Sequence, residues 1–211
     1  GVTLRCTFAA IAFWIIGFFV PKENTTRKEK GILFLLGALG IYGFMFFYLT
    51  GLSKTTPVSS SIFSSLQPIW VFAIAVLFFR ERITKMKIIG ILVGLGGALL
   101  CISTQKSDDL ASDAFTGNLL CLLSSMIYAV YLVLSNRLLK SSGTFTLLKY
   151  TFTGAAVSSL IVTAITGFDA PILAQPIHWL PLGILLFVLI FPTVISYMLI
   201  PIGLKYLSTT L

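Results

Sequence analysis

Seven stretches of about twenty nearly uninterrupted apolar residues run through the chain, at 2–20, 31–51, 57–79, 86–103, 116–136, 147–167 and 179–202. The hydrocarbon core of a bilayer is about 30 Å thick, which an α-helix crosses in about 20 residues. Only helices and closed barrels satisfy every backbone N–H and C=O group in lipid, and runs this long read as helices. The segments between them are short and polar, so sequential helices are expected to be antiparallel neighbours with no large soluble domain. Composition agrees: of 211 residues 57% are hydrophobic and only 10% charged, with a mean hydropathy of +1.00. Soluble domains carry about 25% charged residues. That balance excludes a cytoplasmic enzyme, a nucleic-acid-binding module and a disordered tail, although a net charge of +8 would suggest nucleic acid in a soluble protein. An all-α integral membrane protein with seven transmembrane helices is expected. The first run reads as a span rather than a removable signal peptide, because six more follow it.

Basic residues fall on alternate sides of the bilayer. Lys22, Arg27, Lys28, Lys30, Arg80, Arg82, Lys85, Lys87, Arg137, Lys140, Lys149 and Lys205 share one side, while only Arg5, Lys54 and Lys106 occupy the other. The second side also holds Asp108, Asp109, Asp113 and Asp169. Positive residues stay inside, so loops 21–30, 80–87 and 137–146 are expected on the cytoplasmic face of the cell (inner) membrane, with Gly1 outside. Cys6, Cys101 and Cys121 lie in apolar runs without metal-ligand spacing and imply no disulfide framework. His178 stands alone beside Trp179 at an outer interface, where an aromatic belt is expected rather than a metal.

The chain also carries traces of an internal repeat. Leu4-Arg5-Cys6-Thr7-Phe8 matches Leu148-Lys149-Tyr150-Thr151-Phe152. Gly31-Ile32-Leu33 matches Gly183-Ile184-Leu185, and Gly51-Leu52 matches Gly203-Leu204, the last two at one shared offset. These pairs relate the first run to the sixth and the second to the seventh. Partners five spans apart cross the membrane in opposite directions, giving an inverted-topology repeat of the kind common in secondary transporters. A five-span unit occurring twice makes a ten-helix (5+5) bundle, of which this chain is expected to supply helices two to eight. Residues 1–105 are then the first repeat, 106–115 an extracytoplasmic linker and 116–211 the second repeat.

Gly51-Leu52, Thr55-Thr56-Pro57-Val58, Leu66-Gln67-Pro68 and the closing Arg80-Glu81-Arg82-Ile83-Thr84 together resemble the EamA-type drug/metabolite transporter superfamily. The glycines Gly90, Gly94 and Gly97 and the segment Tyr128-Ala129-Val130-Tyr131 are also similar to it. The resemblance covers essentially the whole chain. It implies ten helices in two inverted EamA repeats, with export or exchange of small metabolites as the activity.

Polar residues within the spans carry the candidate chemistry, since lipid offers them no partner. On the third run Ser60, Ser64 and Gln67 recur at i, i+4 and i+7, on one helical face. Pro68 has no N–H for the carbonyl of Ser64, so that oxygen is expected to be free in mid-membrane and to line a cavity. The competing reading is that these serines and the proline merely permit close helix packing. Ser124, Tyr128, Tyr131 and Ser135 form a second stripe on the fifth run, with Tyr128 near mid-helix, where an interfacial anchor gains nothing. Thr193, Ser196 and Tyr197 follow Pro192 on the seventh. The three runs are expected to wall one aqueous pocket for a small-molecule substrate.

Arg5 and Lys149 hold equivalent repeat positions at opposite faces, either snorkelling to the headgroups or guiding an anionic group of the substrate into each mouth. Glu81 reads as a local ion-pair ornament of its loop, with a structural or gating role implied by the resemblance. Gly90, Gly94 and Ala98 make a small-xxx-small ridge for helix packing, or alternatively a homodimer face.

No Asp or Glu stands inside a run away from its ends, no phosphate-binding loop occurs, and no His/Asp/Cys cluster suits a metal. Neither an enzyme nor a cofactor is expected, and the partners are a small molecule and the lipid bilayer, not nucleic acid. The expected function is a secondary transporter of small metabolites (amino acids, nucleosides or drug-like compounds) working by alternating access, in the direction of export. Two other classes stay open: a seven-span receptor or photoreceptor, for which Lys205 lies at the end of its helix rather than within it, and a non-transporting membrane scaffold.

Overall fold

The computed structural model describes residues 2–20, 25–79, 85–104, 113–167 and 179–207. Among them all regular structure is helical, in seven rods. Helix α1 is Val2–Phe18. Helix α2 is Arg27–Leu52, with a π-helical stretch Gly37–Tyr42 inside it. Helix α3 has two segments, Pro57–Ser65 and Gln67–Phe79, parted by Leu66. Helices α4, α5 and α6 are Lys85–Thr104, Ala114–Ser142 and Thr144–Thr166. Helix α7 covers 179–207 as Trp179–Val188, the π-helical Leu189–Ile195 and Ser196–Leu207.

Capping chemistry sets several helix ends. In Thr26-Arg27-Lys28-Glu29 the Thr26 hydroxyl accepts from the Glu29 N–H at 3.3 Å while the Glu29 carboxylate accepts from the Thr26 N–H at 2.9 Å, a reciprocal box. Thr56 caps α3 by accepting from the Ser59 N–H at 3.2 Å, with Pro57 at the first helical position, where no N–H is needed. Asp113 accepts from the Thr116 N–H at 3.4 Å at the head of α5. Between α5 and α6 a single residue, Gly143, turns the chain at φ +74°, in the left-handed region that favours glycine. The expected loop 137–146 is therefore helical except at Gly143. The apolar run marks where lipid lies, but Arg137, Leu138, Leu139 and Lys140 are good helix formers and carry the hydrogen bonding on to Ser142.

Five helical stretches among the described residues are each long and apolar enough to cross a membrane: Arg27–Leu52, Pro57–Phe78, Ala114–Ser142, Thr144–Thr166 and Gly183–Gly203. Helix α1 is apolar too, at 17 residues. Their outer faces are bare. Phe18 is 81% exposed, Ile165 78% and Leu92 62%, and large apolar side chains are exposed along every helix, more than a soluble protein leaves bare. Lipid is the solvent that accepts it, and the chain is a multi-pass membrane protein.

Two compact units form: Gly1–Tyr42 with Leu134–Leu211, and Gly43–Val133. The chain passes from one to the other inside α2 and returns inside α5. The first unit draws on both expected repeats, uniting α1 and the start of α2 with α6 and α7.

In the first unit α6 is central and buries Leu147, Leu148, Thr151, Phe152, Gly154, Ala155 and Ser159. Helix α1 buries Cys6, Ala9, Ala10 and Phe13, one helical face, and Phe13 meets Phe152 with ring centroids 5.1 Å apart. Lipid tails are as apolar as leucine, so burial of apolar side chains gives helices in a bilayer little reason to associate; small residues that admit close backbone approach do. The α2–α6 crossing is of that kind: a Cβ on Gly37 would fall on the Thr151 carbonyl, and one on Gly154 on the Phe34 carbonyl. Hydroxyls bridge the helices as well. Thr163 donates to Ser159 O at 2.7 Å and pairs with the Thr3 hydroxyl at 2.7 Å, while Thr153 donates to Lys149 O and accepts from Trp14 Nε1 at 3.0 Å. Thr25 reaches Ser142 O at 3.3 Å, so the start of α2 and the end of α5 share one end of this unit.

In the second unit Gly51 of α2 and Gly117 of α5 make the matching close crossing: a Cβ on Gly51 would stand 2.8 Å from Gly117 O, and one on Gly117 2.9 Å from Gly51 O. Lys54 pairs with Asp113 at 3.5 Å, and the Thr55 hydroxyl donates to Asn118 Oδ1 at 2.6 Å. Helix α4 packs on the first segment of α3. The glycines of the α4 ridge meet no neighbour among the described residues. Gly90 and Gly94 are exposed, and a Cβ at either would meet nothing within 4 Å among the described residues. Helix α4 turns that face outward, so the tight glycine contacts fall on α2, α5 and α6 instead. The side chain of Ala98 lies outside the described residues.

Candidate functional site

The polar stripe on α3 begins at the Thr56 cap, which starts the helix so that Ser60 and Ser64 follow on one face. Ser60 is buried, and its hydroxyl donates to Pro57 O at 2.9 Å. Ser64 is half-buried and donates to Ser60 O at 2.9 Å. Pro68 is exposed and cannot donate to Ser64 O, and the helix breaks two residues earlier, at Leu66. With the regular bond gone the turn tightens, and the Leu66 N–H donates to the Phe63 carbonyl at 3.2 Å, an i→i−3 bond. Gln67 opens the second segment, half-buried.

An open groove of about 360 Å³ lies along the neighbouring face, lined by Pro57, Val58, Ser61, Ile62 and Ser65. Ser61 and Ser65 were not among the expected residues, although their i, i+4 spacing after Pro57 is a legible second row. Their hydroxyls donate to Pro57 O at 2.6 Å and to Ile62 O at 2.7 Å. Each oxygen thus has its proton engaged by the helix, and the groove offers acceptors to whatever enters it.

On α5, Ser124 is buried and donates to Cys121 O at 2.7 Å. Tyr128 and Tyr131 stack at 5.7 Å between centroids, and Phe44 of α2 lies against Tyr128 at 4.6 Å and Tyr48 at 5.9 Å. The result is a continuous run of four rings in the second unit, arranged offset or tilted as aromatic quadrupoles prefer. Phe44 and Tyr48 went unrecognised in the sequence because an i, i+4 aromatic pair inside an apolar run looks like any other packing. Ser135 belongs to the first unit, and its hydroxyl is buried with no hydrogen-bond partner among the described residues.

The α7 residues cluster around a broken ladder. Pro192 withholds the N–H that Val188 O would receive in an α-helix, and the backbone widens to a π-helix over Leu189–Ile195. In that wider turn the residue five positions on, Thr193, faces Val188 O, and its hydroxyl also donates there at 2.9 Å. Ser196 similarly donates to Phe191 O at 3.2 Å. Tyr197 is buried, edge-on to Phe152 at 5.0 Å. Arg5, far away in sequence, donates from Nε to Thr193 Oγ1 at 3.1 Å. Two residues singled out separately, Arg5 and Thr193, are thus brought together. Lys149 is held differently, its ammonium over the Trp14 ring at 5.2 Å and its stem across Gly17. Glu81 lies outside the described residues.

The EamA-like transporter family matches this chain over residues 2–103 and again over 115–211. The chain belongs to that family. It is 27% identical over 210 residues to the uncharacterized transporter YyaM of Bacillus subtilis (strain 168), covering 98% of this chain and 68% of that protein. With YcbK, an uncharacterized transporter of the same organism, identity is 26% over 207 residues, covering 95% of this chain and 65% of the relative. The chain therefore spans about two thirds of the length of these curated relatives. A crystal structure of another protein superposes with a TM-score of 0.71 at 20% identity, over 97% of this chain and 68% of its own, a likeness of fold.

Proposed function

We propose that the protein containing this chain is a secondary transporter that moves small metabolites outward across the cytoplasmic membrane by alternating access. The observation that carries the reading is the double family match, one stretch on each side of residues 104–114, in a chain whose relatives are named transporters. An inverted pair of repeats is supported by a further coincidence. The π-helical stretches Gly37–Tyr42 and Leu189–Ile195 begin at positions separated by the same offset that relates Gly31 to Gly183 and Gly51 to Gly203. Wide turns of this type sit at functional positions in helices and give a rod a place to bend. Helix α3 adds a second weak point at Leu66, beside hydroxyls that face an open groove.

Substrate contacts are proposed for Ser60, Ser64, Gln67 and Pro68 with Ser124, Tyr128 and Tyr131, and for Thr193, Ser196 and Tyr197 in the first unit. The groove acceptors and the aromatic run suit solutes with N–H or O–H donors and a flat or cationic portion. Metabolite profiling of the medium from cells that overproduce or lack the protein tests the reading. Overproduction is expected to raise at least one small solute outside. Gln67→Ala and Tyr128→Ala are expected to reduce that effect severalfold with unchanged membrane abundance. Identical profiles in the two strains would rule out export.

A further inference from the structure

We propose that Arg5 recognises an anionic group, a carboxylate or phosphate, on a small solute bound in the first unit; this inference rests on the transport reading above. Arg5 lies about one turn into α1 and is half-buried. Were it anchoring the helix to headgroups, its side chain would extend toward the interface. Instead its Nε donates at 3.1 Å to the hydroxyl of Thr193, a fully buried residue midway along α7. That hydroxyl has one proton, engaged with Val188 O at 2.9 Å. Its orientation is therefore set: proton to Val188, lone pair to Arg5.

Thr193 is neutral, so this bond aims the guanidinium without compensating its charge. Among the described residues no carboxylate pairs with Arg5, and the acidic side chain described in this unit, Glu29, is engaged in the Thr26 capping box. A cation in an apolar surrounding is costly and persists where a partner or water answers it. With Nε occupied, the two terminal amino groups remain as an end-on fork, whose geometry matches two oxygens of a carboxylate or phosphate. The repeat-equivalent cation shows the contrast. Lys149 lies over Trp14, and the position aligned with Thr193 on α2 is Ile41, which has no hydroxyl. The oriented fork thus belongs to one copy only.

The test uses the full chain in maltoside micelles free of phospholipid, with benzoate and inorganic phosphate as probes and thermal unfolding as the readout. At least one probe is expected to stabilise the protein saturably. Arg5→Gln is expected to weaken that apparent affinity at least tenfold, Arg5→Lys less, because it keeps charge but loses the fork, and Thr193→Val to an intermediate degree. Equal stabilisation in wild type and Arg5→Gln, none by either probe, or an Arg5-dependent response to phosphatidylglycerol alone would each overturn the proposal. Should Arg5→Gln not fold, wild-type affinity in both Arg5→Lys and Thr193→Val overturns it equally. Counterflow of labelled solutes in liposomes separates the two readings. Flux of neutral or cationic solutes that ignores Arg5→Gln leaves transport standing without the anion site, whereas anion binding with no flux of any solute leaves the site without transport.

Discussion

Gly37→Ala is the most incisive test of how these helices associate. Within a helix the substitution is intrinsically favourable by about 1 kcal/mol, since alanine restricts the unfolded chain and glycine does not. At the α2–α6 crossing, however, the new methyl falls on the Thr151 carbonyl. That neighbour is backbone in the middle of a helix and cannot rotate aside. The two rods must separate by about an ångström, which loosens the reciprocal contact of Gly154 with Phe34 as well. Overpacking a tight site costs about 1–3 kcal/mol, and a rigid neighbour argues for the upper end. The net expectation is a loss of about 2 kcal/mol, a factor of about 30 in the folding equilibrium. Reversible unfolding in mixed micelles, followed by circular dichroism, measures it. Gly90→Ala is the control: its Cβ enters open space, so the change is expected to be neutral or stabilising by up to about 1 kcal/mol. Wild-type stability in Gly37→Ala, or an equal loss in both variants, would refute the reasoning.

Thr193→Val removes a buried side-chain donor to Val188 O and the acceptor of Arg5, so in the same assay it is expected to lose about 1–3 kcal/mol. Ser196→Ala, an exposed residue with a longer bond, is expected to lose less than about 0.6 kcal/mol. The hydrogen bond from Thr116, reinforced by the nearby Lys54, holds the Asp113 carboxyl below its ordinary range. A carboxylate depressed on folding stabilises above its unfolded pKa and loses that contribution as pH falls through the lower folded value. Amide exchange at Thr116 and Gly117 is therefore expected to accelerate only in strong acid, and Asp113→Asn to abolish that acid-dependent step.

Much of the architecture was legible without coordinates. The apolar runs located every helix, and the Pro68 and Pro192 positions pointed to the two places where helices α3 and α7 depart from regular hydrogen bonding. The stripe Ser124, Tyr128, Tyr131 was legible as a face, but its aromatic partner Phe44 was not, since nothing local distinguishes it from Phe46 or Phe47. The Thr26–Glu29 box was written in the sequence as a threonine followed three residues on by a glutamate. The glycine ridge on α4 was legible as a small-residue spacing, which permits close approach but does not by itself say which helix comes close.

Sequence by itself determined the solvent, the number of helices among the described residues and two of the points where their ladders fail, at Pro68 and Pro192. These depend on transfer free energy and on the missing N–H of proline, properties each residue carries wherever it is placed. Tertiary structure alone decided which glycines meet a backbone, why Gly37 and Gly154 share a crossing while Gly90 and Gly94 face outward, and that Arg5 reaches Thr193. Contacts between residues so far apart in the chain depend on how helices cross. In lipid that is settled by the fit of small side chains and hydroxyls across the interface, which no single stretch of sequence contains.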